Sequence, residues 1–369
     1  MKGSHHRFWL DAPSWFCRPN STDWQMKLSF VREFPDLRAS VVDSWFFNLV
    51  YSAQYVSIHF LSGRAYECFT HVCACLRAWV LERRGAEIVV SQGLEPPLPK
   101  GAKVIWETFF LDQTPGEADP EFRRGGSNMW IRSLARFGGK VDVIGVRGTA
   151  SVNLLKKMFP EYAGKVHDLN FVYPEYELLQ DDEIRWKQEE SGQVRILFIG
   201  RAARRKGLLP LLEALSKLRG EGLRDFRLTV VSDCVDGKVE FPDWVDHKVS
   251  VPHEEAMRLM QSAQVFIMPS FIESYGLVFL ESLASGCVTV VPDQDPQREF
   301  VDSGRAGLVV NPREVSEMAE RLRPILQDRG LRVKLSLAGR HHYEAALSQR
   351  VVRSKWRQAI RSLGYGEQP

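Results

Sequence analysis

No run in the chain approaches the ~20 consecutive apolar residues that a membrane-spanning helix needs. The start, MKGSHHRFWLDAP, has neither the apolar core nor the small-residue cleavage site of a signal peptide. Cysteine is scarce: six residues (17, 68, 73, 75, 234 and 287) among 369, without the paired spacing of a metal site. Cys73 and Cys75 lie two apart in an apolar, helix-like run, where buried free thiols are expected rather than zinc ligands. Unpaired thiols suit a reducing compartment, so the expected location is the cytoplasm. Neither sign of charge dominates, with 49 Lys+Arg against 46 Asp+Glu and a net charge of +3. That balance is too mild to imply a nucleic-acid partner. No G-x-G-x-x-G follows a strand-like run, which argues against a dinucleotide-dependent oxidoreductase.

What is present is 44% hydrophobic and 26% charged residues, the composition of a globular chain. A chain of this length is too long for one ordinary core, so two domains are expected. Residues 1 to about 60 are rich in aromatics (Trp9, Trp15, Phe16, Trp24, Trp45, Phe46, Phe47) without a clean period, and read as packing residues or the lining of an acceptor pocket. Order begins with Tyr66–Arg84, a helix pattern with Phe69, Val72, Cys73, Leu76, Val80 and Leu81 on one side. EIVVSQG, KVIWETFF, DVIGVRG and KVHDLNFVYP follow as strands, with a helix over Ala150–Phe159, which is the rhythm of a parallel α/β layer. Between them, Phe122–Gly138 interleaves Arg123, Arg124, Arg132 and Arg136 with apolar residues. This is an amphipathic basic helix, read either as a solvated face or as a contact with an anionic membrane surface or acceptor.

The acidic, polar segment Glu177–Gln193 is read as the interdomain linker. VRILFIG (Val194–Gly200) then gives the strongest strand, followed by the basic loop RAARRKG and a leucine-rich helix. A strand that empties through Gly200 into cations ahead of a helix is a phosphate-binding arrangement, with Arg201 and Lys206 as the neutralising charges. The alternative is a solvated basic loop. RLTVVSD and Lys248–Val251 read as further strands, and Glu254–Ser262 as a helix. QVFIMPSFIESYGLVFLESLASGCVTVVP is a buried strand, a polar loop, a helix and another buried strand. It leaves two acids over, Glu273 in the loop and Glu281 in the helix. Ser316–Gln327 is a helix, and a long basic one runs from Leu331 to Leu363 with a break near Gly339.

ILFIGRAARRKGLLPLLEAL, MPSFIESYGLVFLESLASGCVTVVP with its Glu-x7-Glu spacing, and GRAGLVVNP with the closing basic helix resemble the donor-binding half of glycosyltransferase family 4. These segments span about Val194 to Ile360, in the family's order. The resemblance implies an α/β GT-B fold: two Rossmann-like, doubly wound parallel-sheet domains facing each other across a cleft. The domains implied are an acceptor-binding one over 1–180, a linker over 181–193, a donor-binding one over 194–340, and a helix over 341–369 returning to the first. It also implies a retaining, metal-independent transferase moving a sugar from a nucleoside diphosphate sugar to a glycan, lipid-linked or small-molecule acceptor, with a role in cell-envelope polysaccharide. Alternatives within the fold are an epimerase, a phosphorylase or a non-catalytic binding protein.

By position, the resemblance gives Arg201 and Lys206, beside Gly200, to the donor diphosphate and Glu273 to the hydroxyls of the transferred sugar. Ser274 and the backbone of Tyr275, Gly276 and Leu277 come near sugar and phosphate, Glu281 binds the ribose, and Ser250 and Val251 meet the base. Two cations can offset a diphosphate without a metal, so neither metal nor cofactor is expected. The family's opening strand and Gly-Gly loop are not recognisable in the first 60 residues, and its histidine after the strand matching KVIWET is missing. Glu107 stands in that neighbourhood, as an acceptor-side or donor-sugar contact or a structural acid.

Overall fold

Short runs of β-branched and aromatic residues bounded by glycine or proline leave no room for amphipathic alternation, and the strands at 143–146, 265–267 and 288–292 are accordingly buried at every residue. The computed structural model describes residues 8–11, 30, 32, 34, 40–41, several between 72 and 83, 85–91, 100–107 and 134–365, the last without 171, 174, 234–239 and 274. These residues divide into two units. One takes those up to 107, 134–175 and 349–365; the other takes 176–348. Every strand pairing among them is parallel.

The first unit holds β1 (Phe8–Asp11), β2 (Ser40–Val41), β3 (Ile88–Ser91), β4 (Lys103–Glu107), β5 (Val143–Val146) and β6 (Val166–Asp168) in the order β2-β1-β3-β4-β5-β6. Its core lies where Trp106, Ile144 and Val146 meet Leu155 of α1 (Thr149–Met158) and Val166. β1 corrects the sequence reading, which found no opening strand. FWLD is too short and irregular to announce itself, and its identity comes from pairing with β2 and β3. The helical residues described between 72 and 83 bury Ala78 and Leu81. Val72 and Leu76, expected on the buried side, are exposed, as is Cys75. The apolar period was broad enough to fit more than one face. The aromatics at 15–16, 24 and 45–47 lie outside the described residues, as does most of the basic segment 122–138; within it, Leu134 is buried and Arg136 exposed on a helical turn.

In the second unit α2 (Asp181–Glu189) precedes β7 (Val194–Ile199), α3 (Leu208–Gly220), β8 (Phe226–Val231), β9 (Val245–Lys248), α4 (His253–Ser262), β10 (Val265–Ile267), α5 (Leu277–Ala284) and β11 (Val288–Pro292). The short α6 (Gln297–Phe300), β12 (Leu308–Val310), α7 (Val315–Gln327) and α8 (Arg329–His342) complete it. Its sheet runs β9-β8-β7-β10-β11-β12, the doubly wound order 3-2-1-4-5-6 counted from β7. Leu208, Leu211, Leu215 and Leu218 give α3 the buried stripe that the leucine period predicts.

The stretch read as linker is helical over its middle. A capping box between Gln180 and Glu183 starts α2, and Ile184, Lys187 and Gln188 are buried. Polar composition misled because these side chains bond to backbone: Lys187 Nζ donates to Ser285 O (2.6 Å), and Gln188 Nε2 to Gln264 O (2.9 Å) and Gly286 O (3.2 Å). β9 lies three residues earlier than the expected strand, leaving Ser250 and Val251 beyond its end. The closing helix does not break at Gly339, which is buried against Ala306 O and Leu283. α8 passes instead into a single π-helical stretch, Tyr343–Leu347, and the break falls at extended Ser348. α9 (Gln349–Ser362) follows and belongs to the first unit, where buried Trp356 donates Nε1–H to Asn170 O (2.8 Å) and meets Phe30 edge-on.

Replacing Gln188 by Ala removes donors to two buried carbonyls and is expected to destabilise the second unit by about 1–3 kcal/mol. Urea unfolding followed by circular dichroism measures it; an unchanged midpoint would show that α2 is not anchored through this side chain.

Candidate functional site

In a doubly wound sheet the ligand crevice lies outside the carboxyl ends of the strands where the order reverses. Here the reversal falls between β7, whose chain continues to β8, and β10, whose chain continues to β11 on the other side. The two loops leaving those ends are 200–207 and 268–276.

Backbone geometry locks the loops together. Gly207 has φ +78 and starts α3; a Cβ there would lie 1.9 Å from Pro269 O. Only glycine fits, on both counts. Phe271 N–H donates to Arg205 O (2.9 Å), and Arg205 Nη1 donates to Ile272 O (2.9 Å). From the other side, buried Gln297 donates through Nε2 to Tyr275 O (2.8 Å) and Glu273 O (3.4 Å). Tyr275 is buried edge-on against Phe300. Gly276, at φ +85, starts α5, with no room for a Cβ against the Phe279 ring. Two helices thus begin at the crevice, where helix starts favour anions.

Within this frame Lys206 Nζ and the Glu273 carboxylate form an ion pair. The two side chains are only 13% and 7% exposed. Burial lowers the Lys206 pKa, and the charge of Glu273 opposes that. Glu273 is therefore not the solvent-facing helix cap that its loop position allows. Gly200 packs against the Lys206 stem and Met268. Arg201 stands outside the pair, 88% exposed, with Nε donating to Asp233 Oδ2 (2.7 Å). Glu281, half-buried in α5, has its carboxyl pushed above its ordinary range by burial, against the pull of His253 and a hydrogen bond from Tyr176. The Tyr176 phenol is in turn driven well up by burial and by that carboxylate.

The structure thus gathers Gly200, Lys206, Glu273, Tyr275, Gly276 and Leu277 on two joined loops, with Glu281 one helical turn further. Ser250 is exposed and Val251 half-buried, between β9 and α4. Ser274 lies outside the described residues. Three supporting groups had escaped the sequence reading: Asp233, Tyr176 and Gln297. Asp233, just past β8, was findable from its strand-end position; the other two are far in sequence from any motif. The stretch Asp293-Gln294-Asp295 has the spacing of a metal-binding acid pair, yet Asp293 is taken by Arg298 (2.5 Å).

The first unit has its own row of charge. Glu107, last residue of β4 and 8% exposed, accepts from Arg147 Nη2 (2.8 Å), and Arg147 is 2% exposed at the end of neighbouring β5. Asp168 at the end of β6 accepts from Gly148 N (2.9 Å) and pairs with Lys355 of α9. Nothing in the sequence signalled Arg147 as the partner of Glu107.

The fold is GT-B, with two parallel Rossmann-like sheets. A glycosyltransferase from Rickettsia africae has this architecture with a TM-score of 0.67 at 14% identity, over 98% of this chain and 100% of that one. Anabaena HepE in complex with UDP scores 0.64 at 12% identity, over 96% and 99%. Residues 180–342 match the family model described as "Glycosyl transferases group 1". The glycogen synthase of Mycobacterium tuberculosis is 26% identical over 203 residues, 50% of this chain and 48% of that protein. The chain spans about half the length, or less, of the curated relatives it matches.

Two outcomes follow. Lys206→Met leaves the Glu273 carboxylate buried without its partner and should cost about 3–5 kcal/mol, while Lys206→Met with Glu273→Gln should recover most of it. Urea midpoints of the single and double variants test this, and additive losses would refute the pairing. For Glu281, the folded carboxyl holds its proton where the unfolded one has lost it. Stability therefore falls as pH rises through the weakly acidic window above the ordinary carboxylate value. In Glu281→Gln this part of the slope of Tm against pH should vanish.

Proposed function

We propose that the chain is a retaining glycosyltransferase that binds a nucleoside diphosphate sugar in its second unit. The observation that carries the reading is the buried Lys206–Glu273 pair, held between two glycine-started helices at the strand reversal. A cation and an acid on the loops that lead into two helix starts suit a ligand with a diphosphate at one end and hydroxyls at the other. The match of residues 180–342 to group 1 glycosyl transferases supports it.

In this reading the diphosphate takes Lys206 from Glu273, with Arg201 swinging in from the exposed side. Lys206 and the α3 and α5 amides offset the charge that develops on the leaving phosphate. Glu273, released, accepts hydrogen bonds from the transferred sugar. Glu281 and Tyr176 receive the ribose hydroxyls, and the backbone at Ser250 and Val251 meets the base. With no nucleophile assigned, the leaving phosphate oxygen takes the acceptor's proton and the new bond forms on the same face, so the anomeric configuration is retained. Two cations carry the charge, so no metal is required. Glu107, held by Arg147, is assigned to the acceptor side as a positioning acid. The acceptor is a glycan, a lipid-linked sugar or a small polyol, and a cell-envelope polysaccharide is the product class we favour. Contact with an anionic membrane belongs to the same proposal.

Because HepE was solved with UDP, UDP is the first nucleotide to try, then GDP and ADP. The cognate one should raise Tm through mass action. Glu273→Gln should slow sugar transfer by about 10- to 100-fold, the loss of one charged hydrogen bond in the transition state, and EDTA should leave the rate unchanged. Product NMR reads the anomer. Inversion would overturn the mechanism, and undiminished transfer in Glu273→Gln would overturn the site.

A further inference from the structure

α9 carries five cations and no carboxylate in its sequence QRVVRSKWRQAIRS. Val352, Trp356, Ala359 and Ile360 take one face into the first unit. Arg350, Arg353, Arg357 and Arg361 form a stripe at spacings of three, four and four, which aligns them on another face. Like charges at this spacing destabilise a helix. In the second unit Arg298, Arg305, Arg321 and Arg323 each sit three to five residues from an acid that they pair with.

The stripe lies along an open surface concavity of about 570 Å³, whose described lining is its four arginines with Ser354 and Gln358, all on α9. The two central guanidinium groups are fixed in place. Arg353 Nε donates to Gln349 O (3.3 Å) with Glu175 3.7 Å from its Nη2, and Arg357 lies over the Phe34 ring (5.2 Å). Arg350, Ser354, Gln358 and Arg361 are exposed. Guanidinium groups match phosphate oxygens by paired hydrogen bonds, and Ser and Gln add neutral donors. Eleven residues of helix at 1.5 Å each put about 16 Å between the first arginine and the last, longer than one phosphate can span.

We propose that this groove binds a ligand bearing several phosphate groups in a row. The site lies in the first unit and does not depend on the donor reading above. Its source is either a soluble multiply phosphorylated chain or the phosphates of lipid headgroups. The test titrates the full chain with short linear polyphosphate, and separately with phosphatidylcholine vesicles with and without phosphatidylglycerol. Binding to polyphosphate names the soluble source, and binding only to the phosphatidylglycerol vesicles names the lipid source. In either arm Arg350→Glu/Arg361→Glu, at exposed positions, should weaken binding by about tenfold or more, Arg350→Lys/Arg361→Lys should retain part of it, and Arg321→Glu in the second unit should change nothing. Circular dichroism confirms that the variants fold. Binding in neither arm, or binding that the double charge reversal leaves intact, overturns the proposal.

Discussion

Lys206 and Glu273 are buried opposite charges on two loops 67 residues apart in sequence, and each needs the other to be tolerable away from water. That mutual need constrains everything around them. The loops must meet, so Gly207 presses on Pro269 with no side chain between them. The strands beneath must be neighbours, so β7 and β10 pair in parallel although two strands and two helices separate them along the chain. The helices that follow must begin at the same edge, which the αL glycines 207 and 276 allow.

The same economy of buried polar groups runs through the second unit. Lys187 and Gln188 of α2 spend their hydrogen bonds on carbonyls at the end of α5 and the start of β10, and Gln264 returns one to Lys187 O (3.0 Å). The Glu281 side of α5 is tied to Tyr176, just ahead of α2. The helix that carries a candidate ligand contact is thus gripped by a segment whose composition resembles a linker. In the first unit the buried pair Glu107–Arg147 bridges β4 and β5 in the same manner, at the carboxyl edge.

Legibility differed between the two units for a physical reason. In the second, long apolar strands, leucine-period helices and punctuating glycines all pointed to one fold, so β7, β10, β11, α3 and α5 were readable almost to the residue. Errors came where side chains do not act by hydrophobicity: α2 is polar yet packed, β9 (VDHK) is a strand by pairing rather than by pattern, and Gly339 lies within a helix because its neighbours come close. In the first unit β3 to β6 were readable, whereas β1 was not, since four residues carry no period and only the sheet selects them.

By itself the sequence determined the parallel α/β class, the two-domain scale, and the two charged loops with their acids, because period, glycine position and charge are local properties. Only the tertiary structure decided that Lys206 finds Glu273, that Arg201 turns to Asp233 and Glu281 to Tyr176, and that Arg147 stands behind Glu107. Those pairings depend on which strands become neighbours, and strand order is set by the closing of the whole sheet rather than by any one segment of it.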